Sequence, residues 1–182
     1  MRPISFCLIV LALLTAPSWR TPLADDSKFH PIQTEAEKAL DRILGLAVKD
    51  ANLLYFALGR PWYDPAKDIG YARLFSKALL NAWRKREAVL ARENCGERYR
   101  EEDGCGLDYN PIVCGQDWPD SFLFRTIKSG NANATIIAVG EGEKVVVRNL
   151  RSYRLVKRNG GWKLDGVDCG EEHNSFNMPS IP

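Results

Sequence analysis

The residues with the most chemical potential fall in one stretch, positions 95–118 of a 182-residue chain. Asp108 and Asp117 are carboxylates with apolar company there, among Tyr109, Ile112 and Trp118. Acid–base work by carboxylates needs a desolvated pair whose pKa values are driven apart. Asp108 or Asp117 as general base, with Tyr109 donating to a developing oxyanion, would meet that need. Gln116 and Trp118 could line a ligand mouth beside them. A plainer reading is favoured. Asp108 and Asn110 make side-chain turn bonds ahead of Pro111, Asp117 orders the loop by the same means, and Trp118 is a core plug beneath it. The two histidines, His30 and His173, lie near the chain ends, which argues against Ser–His, Cys–His or histidine–metal chemistry. No glycine-rich phosphate loop or H-E-x-x-H helix is written in the sequence. Neither a cofactor nor a metal is expected.

The other chemical feature is the cysteine set. Residues 1–24 read as a secretory signal peptide: Arg2, an apolar run over 4–16, then small or turn-forming residues ending at Ala24. The run is too short to span a bilayer, which takes roughly 20 residues. Cys7 lies inside the run and would leave with it. Cys95, Cys105, Cys114 and Cys169 remain, an even number in an exported chain, which favours two disulfides. A four-thiolate zinc site is the rival, but none of the spacings is the C-x-x-C type that presents two ligands from one turn. Four cysteines allow three connectivities and the sequence cannot choose among them. Cys95–Cys105 with Cys114–Cys169 is preferred, the first closing a short loop and the second tying that loop to the chain end.

Removing residues 1–24 takes away Arg2 and Arg20 and no acid, leaving 23 basic residues against 23 acidic ones. A neutral domain has no electrostatic footprint for nucleic acid or anionic lipid. No later stretch is apolar and long enough to cross a membrane. About 158 residues suit one domain with one core.

Elements that would position these residues follow from periodicity. Residues 25–33 read as a flexible leader, 34–170 as a single domain and 171–182 as a disordered tail. Thr34 and Glu37 form a T-x-x-E capping box. Behind it Ala36, Leu40, Ile43, Ala47, Ala51, Leu54 and Leu58 recur at helical spacing, which predicts one long helix, bent near Gly45. A second amphipathic helix is predicted over 69–92, with Tyr71, Leu74, Phe75, Leu79, Trp83 and Leu90 on its apolar face. Beyond residue 119 the period becomes two. Four strands separated by turns at Gly130-Asn131, 140–142 and 159–161 predict an antiparallel meander. The fold class is α+β, two N-terminal helices packed on one face of a curved, mainly antiparallel four-stranded sheet.

Leu107-Asp108-Tyr109-Asn110-Pro111-Ile112, Gln116-Asp117-Trp118 and the terminal Gly161-Trp162-Lys163-Leu164-Asp165-Gly166-Val167 resemble an uncharacterised bacterial periplasmic family. It is a domain of unknown function in the nuclear-transport-factor-two-like, or SnoaL-like, superfamily. The matching region spans residues 71–169. Asn110 stands where that family commonly has an acid, and Gly166 departs within the last element. The resemblance implies a cone: a strongly curved antiparallel sheet whose open side is closed by helices, with a pocket between them. Such cones serve as isomerases, hydrolases, small-ligand binders and protein-interaction modules, so fold does not settle function.

The expectation is a periplasmic or secreted, non-catalytic binding module. It would hold a small ligand or an envelope protein at Asp108, Tyr109, Gln116, Asp117 and Trp118. The alternatives are a small hydrolase or isomerase using a pocket carboxylate, and an envelope inhibitor or immunity protein whose paratope is the segment 95–114.

Overall fold

The structure is a computed structural model that describes residues 28–50, 53–58, 70–96, 110–115, 119–143 and 150–170. Helices and a four-stranded antiparallel sheet confirm the α+β class. In order along the chain they are α1 (Glu35–Lys49), α2 (Leu53–Leu58), a 3-10 turn (Tyr71–Leu74), α3 (Lys77–Cys95), β1 (Phe122–Ser129), β2 (Asn133–Gly140), β3 (Arg151–Arg158) and β4 (Gly161–Asp168).

The capping box is present at α1. Thr34 Oγ1 accepts from the Glu37 N–H, and Glu37 reaches back to the Thr34 N–H. Helical periodicity continues past residue 50, but the helix does not. Asp50 is extended (φ −134°, ψ 95°) and closes the last turn by donating its N–H to Leu46 O. Leu54 and Leu58 therefore belong to α2, not to a bend within one helix. The second predicted helix is corrected in the same way. It begins at Lys77 rather than at 69, because Phe75 is extended and bridges Leu164 on β4 while Ser76 caps the helix, its Oγ accepting from Leu79 N. Apolar spacing does not register a cap in mid-stripe. α3 ends on Gly96 in the left-handed region (φ 57°), a conformation glycine adopts without Cβ strain.

The sheet runs β1-β2-β3-β4 with every neighbour antiparallel. Register shifts between Thr126 and Lys128 and between Arg154 and Leu155 mark two bulges, which add local twist. The core gathers Leu40, Ile43, Leu44 and Ala47 of α1, Leu79, Leu80 and Trp83 of α3, and Phe124, Ile136, Tyr153, Leu155 and Leu164 of the sheet. Residues at alternate positions point to the opposite face. There Ile137, Val139 and Val156 are buried too, so the sheet does not have one dry and one wet face.

The leader is tied down at His30, which pairs with Phe124 on the outer edge of β1 through two backbone hydrogen bonds of 3.0 and 2.8 Å. Just below it Glu37, with a fully buried side chain, accepts from Gln33 N (2.9 Å), Thr34 N (3.0 Å) and Thr126 Oγ1 (2.6 Å), with His30 Nε2 3.9 Å away. Burial alone would raise the carboxyl pKa. The bonds from Thr126, Gln33 and Thr34 and the nearby imidazole outweigh it, and hold the group below the ordinary carboxylate range. A depressed carboxylate contributes stability above its unfolded pKa of about 4.3 and loses it as pH falls through the folded value. Glu37→Gln is therefore expected to flatten the loss of stability below about pH 4.5. Urea unfolding of both proteins at several acidic pH values checks this, and equal slopes would remove Glu37 from the acid response.

Candidate functional site

Of the residues singled out in the sequence, Asp108, Tyr109, Gln116, Asp117, Trp118 and Cys105 lie outside the described residues. The loop between them, 110–115, is described; it is closed by its own bridge and held from three directions. Asn110 and Gly115 face each other in an isolated antiparallel bridge, each N–H reaching the other's carbonyl at 3.1 and 3.4 Å. The segments carrying Asp108 and Tyr109, and Gln116 to Trp118, join the loop at these paired residues.

Asn110 uses both ends of its amide. Oδ1 accepts from Ile112 N at 3.0 Å, the turn bond expected ahead of Pro111. Nδ2 donates to Ala47 O at 3.1 Å. That carbonyl lies in the last turn of α1, where carbonyls have no partner within the helix, so a loop side chain caps a helix 63 residues away in sequence. An aspartate at 110 could accept from Ile112 but not donate to Ala47, which gives a physical reason for an amide at this position.

Behind the loop, Tyr153 of β3 is fully buried and donates its hydroxyl to Ile112 O at 3.0 Å. Burial pushes its phenol well above the ordinary value and keeps it protonated as a donor. Ile112 and Val113 are core residues. Cys114 forms a disulfide with Cys169, just past β4. Cys95 is also disulfide-bonded, to a partner outside the described residues. Two thiolates consumed in Cys114–Cys169 rule out the four-thiolate zinc site, and no group of three metal-ligating side chains occurs among the described residues. These bonded cysteines fit an oxidising, non-cytoplasmic compartment. Among the described residues no helix is long and apolar enough to cross a membrane.

No protein-family model, curated protein or solved structure matches this chain. The site therefore has to be read from its own residues.

Three features of this region escape a sequence reading. Tyr153 looks like any inward strand residue, and its bond to Ile112 spans 41 positions. The cap on Ala47 spans 63. The third lies at the far end of β2, where Glu143 accepts from Gly140 N (3.0 Å) and from both Nη atoms of nearly buried Arg151 (2.9 and 3.2 Å). Burial opposes its charge, but Arg151 and the Gly140 amide prevail, so Glu143 stays below the ordinary carboxylate range. Neither it nor Glu37 has the raised pKa that suits a general base.

Proposed function

We propose that this chain is an exported, periplasmic binding module without catalytic activity. In this reading it is a cone of the kind the loop motifs resemble, and it takes a small apolar or amphipathic ligand, or an envelope protein, at Asp108, Tyr109, Gln116, Asp117 and Trp118. The anchoring of 110–115 carries the reading. A segment tied to α1, β3 and the end of β4 is a fixed base, joined to both flanks at the paired residues Asn110 and Gly115, and a pre-ordered base lowers the entropic cost of binding. The inhibitor alternative needs an exposed rigid loop. Residues 110–114 are buried, which favours a platform over a paratope for that part of the segment 95–114.

Native mass spectrometry of the protein purified from its host tests the proposal. The expected spectrum shows a cleaved N-terminus and a retained ligand or partner mass, and Trp118→Ala is expected to lose that mass while keeping its melting temperature. Loss of the fold in Trp118→Ala would assign Trp118 to the core. Absence of any bound mass in the unaltered protein would overturn the binding role.

A further inference from the structure

Charge is segregated along the sheet although the processed chain is neutral. Both hairpin turns, 130–132 and Asn159–Gly160, lie at one end, joined by the bond from Lys157 N to Ala132 O (2.8 Å). The strand segments leading into them, 125–137 and 152–164, carry Arg125, Lys128, Arg154, Lys157, Arg158 and Lys163 and no acidic residue. Arg154 is paired with Asp165 at 3.1 Å, and Arg125 lies over the Phe29 ring. Lys128, Lys157, Arg158 and Lys163 make no ion pair among the described residues, and all but half-buried Lys163 are exposed. Among the described residues the other end of the sheet is acidic, carrying Asp120, Glu141, Glu143 and Asp168, with Arg151 paired to Glu143. The anchored 110–115 loop attaches at that acidic end, through Cys169.

Register places three of these cations on one surface. Lys128 lies opposite Thr135 and Lys163 opposite Val156, and Arg158, two positions beyond Val156 on β3, faces the same way. Four adjacent strands span about 14 Å between backbones, so these three side chains spread over a broad front rather than converge on one ion. Two apolar groups stand at the same end. Ile127, the extra residue of the β1 bulge, is 59 % exposed, whereas Trp162, on the other face, is partly buried against the core.

We propose that this hairpin end is a docking surface for an anionic phospholipid bilayer, which would leave the acidic end and its loop facing away from the membrane. Spread cations suit the potential of an anionic leaflet, and an exposed aliphatic side chain beside them can enter the headgroup boundary. A single-stranded nucleic acid would need an open aromatic face for stacking, but Lys157 Nζ sits 5.9 Å above the Trp162 ring. Each basic residue near an anionic leaflet is worth about fivefold in affinity. Removing three should therefore weaken binding on the order of a hundredfold.

The test is co-sedimentation of the host-processed protein with phosphatidylcholine vesicles containing about 30 % phosphatidylglycerol, and with pure phosphatidylcholine. Binding to the anionic vesicles alone is expected, with its loss in high salt. Lys128→Glu/Arg158→Glu/Lys163→Glu is expected to abolish it. The milder Lys128→Gln/Arg158→Gln/Lys163→Gln, checked for its fold by circular dichroism, is expected to lower it by the factor above. Trp118→Ala should bind vesicles normally, which separates this surface from the loop site. No binding, equal binding to neutral vesicles, or full binding by the glutamine variant would overturn the proposal. So would displacement from vesicles by a stoichiometric single-stranded oligonucleotide.

Discussion

Trp83→Ala is expected to cost about 3–5 kcal/mol of stability, the range for emptying a large aromatic site in a packed core. Trp83 is fully buried on α3, meets Phe75 edge-to-face at 5.4 Å between ring centroids, and joins the helices to the sheet through one core cluster. Phe75 bridges Leu164, so the cavity would open where α3 is attached to β4. Trp83→Phe separates volume from polarity. The indole Nε1 is buried with no hydrogen-bond partner among the described residues, and an unsatisfied buried donor costs about 1–3 kcal/mol. Phenylalanine removes that donor as well as part of the ring, so its net cost is expected to stay below about 2 kcal/mol. Urea unfolding followed by circular dichroism measures both. A phenylalanine variant as unstable as the alanine one would mean that the indole N–H is satisfied after all.

Cys114→Ala/Cys169→Ala is the second large effect. The disulfide closes a loop with a sequence separation of 55. On the chain-entropy account, freeing a loop of that length costs about 4 kcal/mol through the unfolded state. Its local consequence concerns the candidate site. Without the covalent tie, residues 110–115 keep the Asn110, Tyr153 and bridge hydrogen bonds, each worth about 1 kcal/mol net. Cys114 is also a non-glycine residue with φ 57°, a conformation that costs an L-residue about 1–2 kcal/mol. Cys114→Gly/Cys169→Ala should therefore be more stable than the double-alanine variant. Amide hydrogen exchange is expected to rise at Ile112 and Gly115 in both variants, before any change at β2. Unchanged exchange there would show that the hydrogen bonds alone fix the loop.

Much of the fold is legible where the signal is local. The capping box at Thr34 and Glu37, the four strands and their turns, and the change of period beyond residue 119 each depend on residues a few positions apart. The two errors in the helices share a cause. Apolar stripes continue through Asp50 and Phe75, but backbone caps break the helices there, and the stripe only reports which side faces the core. The Cys114–Cys169 pair agrees with the preferred connectivity, yet four cysteines alone leave three choices. At the loop, the Asn110 turn bond is local and readable. Its second bond to Ala47 and the Tyr153 bond to Ile112 are not, because they link elements that only packing brings together.

The sequence by itself determined the α+β class, the positions of the turns, and four cysteines beyond residue 24 that can pair as disulfides. It also determined that residues 25–182 carry 23 basic and 23 acidic side chains, a sum of zero. Tertiary structure decided where that charge lies. Net charge is a sum and carries no position, whereas antiparallel pairing folds two basic hairpins back to one end of the sheet and leaves Asp120, Glu141, Glu143 and Asp168 at the other.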